Sequence, residues 1–312
     1  MQLTAKGNSP DVMKTLNLVG AGKLGQTLAH LWHAHATFTI QQVITRSLPS
    51  AKAACEFIGA GEAVTSVQQM TPANVWLIAT PDGNIAKQVQ ALHKSQLLTP
   101  DTVVFHCSGA LNSSCLKPQA SEVYQVASIH PIHSFATPAE SKNSFHGSFC
   151  GYEGHPEALA TLLPAFEHIG AQLFAIDGEH KTLYHAASVM ACNYLVGLMD
   201  ASLECFEAAG VSRNQAQQLL LPITHQTLDN ALTGSPEAAL TGPISRGDVD
   251  TVRNQLQQLA QLKAHKHSLL AEIYQVMGQQ TVRVAEKQQR SAPPQDLAEI
   301  KSLLQQSGFD TQ

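Results

Sequence analysis

The sequence predicts an α/β protein, with a doubly wound, mostly parallel sheet in its N-terminal part and an all-α C-terminal part. Three observations predict it. Short apolar runs alternate with helical segments as far as Asp177, the first of those runs ends in a glycine-rich turn that opens a helix, and beyond Asp177 only helical spacing remains.

The first strand is Leu16 to Val19, and it runs into Gly20, Gly22 and Gly25, a G-x-G-x-x-G at a strand-to-helix junction. Leu24, Leu28, Leu31 and Trp32 then recur at helical spacing, so one face of the helix is apolar. Each glycine has a physical task. Gly20 permits the tight turn, Gly22 lets the backbone approach a pyrophosphate, and Gly25 allows close helix–strand packing. With Lys23 and Leu24 they open a helix whose free N–H groups favour an anion.

The second strand, 38 to 47, ends about twenty residues past the glycines, where a fold preferring NAD presents a carboxylate to the ribose. Here stand Thr45, Arg46 and Ser47. A guanidinium and two hydroxyls suit a 2′-phosphate, so NADP is the expected cofactor; the other reading of Arg46 is a solvated loop charge. Further strands are expected at 74–82, 102–110, 124–132, 148–154 and 171–176. Their ends carry Thr80, Pro81 and Asp82, then His106, Cys107, Ser108 and Gly109, then His130 and Pro131. In an open α/β sheet ligands sit outside these carboxyl ends, which makes Thr80, Pro81, Asp82, Ser108 and Gly109 candidate cofactor contacts.

Asp177 is placed to cap a helix running to about Ala209 and stopped by Gly210. From Thr182 to Met199 this helix lacks Asp, Glu, Lys and Arg, but His185, Ser188, Asn193 and Gly197 interrupt it, so it reads as a buried helix of a soluble protein rather than a membrane span. Ser212 caps another helix, bent at Pro222 and ending near Gly234. Asp248 starts a third, 265–289 form a fourth, and Pro293 and Pro294 precede a short last one. The expected organisation is a loose tail at 1–13, a dinucleotide-binding domain at 14–177 and a helical substrate and dimerisation domain at 178–312.

Composition narrows the function. The 312 residues are 44% hydrophobic and 14% charged, as in a soluble globular protein with a substantial core. A net charge of -5 without a basic block argues against nucleic acid, and six scattered cysteines with no secretory leader indicate a cytoplasmic chain. His30 and His33 offer at most two ligands on one helical face, so no metal is expected.

"GAGKLG", "ATPD", "HCSGA", "IHP", "YHAASVMACNYL" and "TGPISRGD", in that order, resemble a bacterial family of Rossmann-like proteins with a C-terminal helical domain of unknown function. That family is related to pyrroline-5-carboxylate reductase, the 3-hydroxyisobutyrate dehydrogenases and the deazaflavin-dependent NADP reductases. The resemblance covers nearly the whole chain and implies an NADP-type oxidoreductase, usually dimeric. The 3-hydroxyacid dehydrogenases place Lys-x-x-x-Asn on the helix entering the second domain, with the lysine as proton donor. Here Lys181 fits the first position, while His185 replaces the amide at the second.

Hydride transfer needs a proton donor, and histidine suits that role near neutral pH. Lys181, His185, Ser188 and Cys192 fall in a narrow stripe of one helix, with Asn193 to one side. His185, His130, Lys181 and Asn193 are therefore the catalytic candidates, and Ser188 a substrate contact. Arg246, beside the helix start at Asp248 in what reads as a rigid turn rather than a helix, suits a carboxylate; the resemblance to pyrroline-5-carboxylate reductase implies the same, and an Arg246–Asp248 pair or a dimer contact is the other reading. The expected function is hydride exchange between NADP(H) and a small carboxylate-bearing carbonyl or imine compound. The alternative is a non-catalytic NADP sensor or scaffold. An apolar helix at 180–209 with few helices to cover it predicts a homodimer.

Overall fold

The computed structural model describes residues 13–117, 123–266, 269–288 and 292–306, so the expected tail falls outside it except for Met13. The chain divides into two compact units, Met1–Met190 and Ala191–Gln312.

The first unit runs β1 (Thr15–Val19), α1 (Lys23–Ala34), β2 (Thr39–Ile44), α2 (Leu48–Ile58), β3 (Glu62–Val64), β4 (Val75–Ile78), α3 (Asp82–Ser95), β5 (Val103–His106), β6 (Gln125–Pro131), α4 (Pro138–Ser144), β7 (Phe149–Gly154), α5 (Pro156–His168), β8 (Gln172–Ala175) and α6 (Lys181–Ser188). The strands form one sheet in the order β3-β2-β1-β4-β5-β6-β7-β8. Pairing is parallel from β3 to β6, antiparallel between β6 and β7, and parallel again between β7 and β8. The order reverses at β1 and β4, so a crevice opens there outside the carboxyl ends of the strands.

Strand alternation builds a core on each face of the sheet. Leu16, Leu18, Leu77, Phe105 and Ile129 face one way and meet Leu28 and Trp32 of α1 and Leu162 and Phe166 of α5. Trp32 is fully buried, packs edge-on against Phe38, Phe105 and Phe166, and donates its indole N–H to the Ala165 carbonyl at 3.0 Å. Val19, Trp76, Ile78 and Val104 face the other way, onto Ile85, Val89 and Leu92 of α3.

The second unit is helical: α7 (Tyr194–Ala208), α8 (Arg213–Thr233), α9 (Pro236–Ala239), α10 (Pro243–Arg246), α11 (Val249–Lys266), α12 (Leu270–Ala285) and α13 (Pro294–Gln305). Its core joins Ile244, Val252, Leu256, Val282, Leu297, Ile300 and Leu304. Ser212 caps α8, and Asp248 caps α11 by accepting from the Thr251 backbone N–H at 3.2 Å.

One expectation is refined and two are corrected. Asp177 accepts from the Glu179 N–H at the start of a helical stretch that runs to Ala208 but changes type along the way, with a 3-10 turn at Gly178–His180 and a π turn at Val189–Asn193. The stretch read as a buried helix is largely exposed, with Leu183 at 70%, Met190 at 65%, Tyr194 at 66% and Val196 at 71%. Apolar composition set that expectation, but one chain supplies too few helices to cover every side. The loop around Arg246 contains one helical turn, Pro243–Arg246, because Pro243 starts a turn with φ already fixed and Gly247 ends it at φ 72°.

Candidate functional site

The glycine loop lies at the crevice. Gly20 has φ 87°, its N–H donates to the Ile44 carbonyl at 2.8 Å, and a Cβ there would lie 2.7 Å from Thr80 Cγ2. Gly25 packs on the sheet: its Cβ would come within 3.0 Å of the Gly20 carbonyl oxygen and of Ala79 Cβ. Gly22 faces open space. It precedes α1 without a side-chain cap, so the N–H groups of Lys23, Leu24 and Gly25 lack the partners a capped helix would give them. The buried Thr80 hydroxyl, on the strand end beside this loop, has no hydrogen-bond partner.

At the end of β2 the polar side chains divide. Ser47 caps α2, accepting from the Ser50 N–H and donating to the Ser50 hydroxyl, while Thr45 donates to the Ser47 carbonyl at 2.8 Å. Local turn chemistry thus accounts for both hydroxyls. Arg46 is exposed and makes no hydrogen bond or ion pair among the described residues. On the other side of the switch point, Pro81 precedes α3, and Asp82 in its first turn accepts from the Ser108 hydroxyl at 2.8 Å. Ser108 also receives the Ala110 and Leu111 N–H groups, so it ties the β5 turn to the α3 start.

Under this turn a polar row crosses the sheet. Register pairs Ile78 of β4 with His106 of β5, His106 with Ser128 of β6, and Ser128 with Glu153 of β7. Lys181, at the start of α6 and 1% exposed, drives its ammonium into the row, donating to the Ser128 hydroxyl and to Glu153 Oε1 at 3.3 Å. Glu153 further accepts from the Ser113 N–H and hydroxyl. His106 donates from Nε2 to the Asn112 carbonyl at 3.2 Å and accepts at Nδ1 from the Ser108 N–H at 3.1 Å. Burial, reinforced by the Lys181 charge and opposed by the Asn112 carbonyl, lowers its pKa to about 3.

Two histidines close the site. His130, at the end of β6, meets Tyr184 of α6 through Nδ1 and the phenol oxygen, 3.0 Å apart. Its ring stands edge-on to His185 with centroids 5.6 Å apart. Burial, then His185 and Lys181, bring His130 down to about 4, against a small opposing pull from Asp82. Gly109 makes this approach possible, since a Cβ there would sit 2.3 Å from His185 Nδ1 and 2.8 Å from His130 Nε2. The missing side chain leaves room for the two imidazoles.

The structure therefore brings His130, Lys181 and His185 of the first unit together. Ser188 lies one turn on, its hydroxyl directed to the Tyr184 carbonyl of its own helix. Asn193 and Arg246 belong to the second unit, where both are exposed. Arg246 closes α10, and its charge helps hold the Asp248 carboxyl low, after the hydrogen bonds from Thr251. Ser128, Glu153 and Tyr184 were not singled out by sequence reasoning: cross-strand register sets Ser128 opposite Glu153, and Tyr184 reaches His130 from α6. Among the described residues no three metal-ligating side chains converge.

Comparison with known proteins follows this geometry. Residues 5–131 match a Rossmann-like domain, and residues 148–281 match DUF2520, a domain of unknown function. Among curated proteins no relative matches the chain. A structure from Bacteroides fragilis provisionally described as an NADP oxidoreductase superposes with a TM-score of 0.69 at 20% identity, covering 88% of this chain and 99% of that one. Protein TM1727 from Thermotoga maritima gives 0.67 at 26% identity, covering 88% and 100%. Pyrroline-5-carboxylate reductase from Coxiella burnetii gives 0.54 at 13% identity, covering 94% and 97%. The chain is thus similar to a Rossmann-like domain followed by DUF2520, and it shares its fold with a pyrroline-5-carboxylate reductase.

Proposed function

We propose that the protein is an NADP-dependent oxidoreductase acting on a small, carboxylate-bearing carbonyl or imine compound. The observation that carries this reading is the pairing of the open Gly22 face at an uncapped helix start with an unpartnered Arg46 at the end of β2. The first fits a pyrophosphate, the second a 2′-phosphate, and the orphaned Thr80 hydroxyl offers one more polar contact beside the loop. A dinucleotide held with its adenosine end at β2 and its pyrophosphate at β1 would direct its nicotinamide end across the switch point toward β5 and β6, on the side of His130. The bound cofactor would supply a hydride; the protein's own part is to hold the reacting carbon and deliver a proton.

The same reading makes the protein a homodimer through its helical unit, whose α8 exposes Leu219, Leu221, Ile223 and Leu232. The cofactor assignment is tested by titrating NADPH and NADH against the wild type and Arg46→Ala. Charge-assisted hydrogen bonds to the 2′-phosphate should make NADPH the tighter ligand by roughly ten- to a hundredfold, and the variant should lose that preference. Equal NADPH affinity in both proteins overturns it.

A further inference from the structure

The proposed reaction leaves two histidines as proton donor, and Tyr184 separates them. Its hydroxyl has His130 Nδ1 within 3.0 Å and otherwise an apolar setting, pressed on the bare face of Gly151 near Phe174 and Ile176. Burial raises the phenol to about 12, so it keeps its proton across the neutral range. Among the described residues that proton has one acceptor, His130 Nδ1. A ring that accepts at Nδ1 while uncharged must carry its own hydrogen on Nε2, on the side of Gly109. Burial and two facing groups, His185 and the Lys181 ammonium, favour the uncharged ring and outweigh Asp82. His185 has no such partner, and its buried Nδ1 is bonded to nothing.

We infer that Tyr184 fixes His130 in the Nε2–H tautomer, which makes His130 the proton donor to the substrate and selects a carbonyl compound over an iminium. This rests on the oxidoreductase reading above and deepens it. A carbonyl oxygen accepts from Nε2–H and takes its proton, whereas an iminium nitrogen has no lone pair to receive it. When the carbonyl carbon gains the hydride with its electron pair, the C=O π pair moves to oxygen. Oxygen then takes the Nε2 proton as Nδ1 takes the Tyr184 proton; water returns a proton to Nε2 while Nδ1 gives its own back to the phenolate, which restores the starting tautomer. Histidine stays uncharged throughout, as its surroundings require. Tyr184 acts through His130 and is a positioning residue.

The test has a part that needs no substrate. In protein carrying 15N-labelled histidine at pH 6, His130 of the wild type should be neutral with hydrogen on Nε2, and Tyr184→Phe should shift it to a mixture of tautomers. A protonated His130, a Nδ1–H tautomer, or no change in the variant overturns the inference. Turnover is then followed by NADPH consumption with 2- and 3-keto acids and with a permanently charged cyclic imine, the 1-methyl-1-pyrrolinium ion. Keto acids should be reduced and the imine not, and Tyr184→Phe should lower kcat by roughly 10²-fold with little change in KM. Reduction of the imine alone, or no keto-acid turnover by protein that binds NADPH, counts against it. Failure to bind NADPH defeats the cofactor reading instead and leaves the tautomer measurement to judge His130. If Tyr184→Phe does not fold, the wild-type spectrum still decides.

Discussion

The two units bury their apolar residues to very different degrees. In the first unit the sheet is covered on both faces, and Leu16, Leu18, Trp32, Leu77 and Phe105 are fully enclosed. In the second, α8 runs for 21 residues and buries only Ala216, while Leu219 is 52%, Leu221 60%, Ile223 63% and Leu232 82% exposed. A sheet covered by its own crossover helices completes its core within one chain. A pair of helices apolar on several sides does not, and this is the physical ground for proposing a second copy as cover.

Ion pairs repeat the contrast and give the largest expected effect. Lys181–Glu153 is enclosed, at 1% and 12% side-chain exposure, whereas Arg213 meets Asp200 and Glu207 at 43%, 56% and 44%. Removing one partner of a buried pair strands the other, at about 3–5 kcal/mol; an exposed pair is worth about 0–1 kcal/mol. Lys181→Met should therefore destabilise the first unit by the larger amount, and Arg213→Ala should barely register. Both tryptophans, Trp32 and Trp76, lie in the first unit, so tryptophan fluorescence follows Lys181→Met during denaturation, while circular dichroism of the whole chain, which includes the second unit, follows Arg213→Ala. The contrast breaks if the two variants lose similar stability, or if Glu153→Gln fails to recover part of the loss when added to Lys181→Met.

The proposed dimer is tested on α8. Leu219 and Ile223 are one helical turn apart and share a face. Replacing both with Asp should leave the fold of a monomer within about 0.5 kcal/mol per site, since neither is buried, yet should weaken self-association by at least about a hundredfold, or roughly 2.7 kcal/mol. Sedimentation at micromolar concentration should show the wild type at twice the 33.4 kDa chain mass and the variant near that mass. A monomeric wild type ends the proposal.

Legibility in the sequence followed the range of the interactions. β1, β4, β5 and β6 and the glycine loop were readable because apolar runs and a strand-to-helix glycine motif are local signals. β3 was not, since Glu62–Val64 is three residues long and carries a charge. The His185–Lys181 stripe was readable from helical spacing, and so was His130 from its strand end. Glu153 was not: it joins the site only because β7 runs antiparallel to β6 and sets it opposite Ser128. Exposure of α8 was equally hidden. Composition says that an apolar face must be covered, but it does not say by which chain.

The smallest effect sharpens the contrast through pH. His106 is fully enclosed and held near 3, against an ordinary value of about 6.5 once unfolded. Between those values the unfolded chain binds a proton that the folded chain refuses, so stability rises with pH and is lost as pH falls below about 6.5. At about 1.36 kcal/mol per unit, lowering the pH from 6.5 to 5 removes roughly 2 kcal/mol through this one group. His130, held near 4, adds a loss of the same sign. His225 of the second unit is exposed and has no such enclosure. Unfolding followed by tryptophan fluorescence, which reads Trp32 and Trp76 of the first unit, should thus shift with pH over this window. His106→Gln keeps a polar side chain in the row but cannot titrate, so its stability should start lower at pH 7.5 and fall less steeply toward pH 5. An unchanged slope in that variant would place the pH sensitivity elsewhere in the sheet unit.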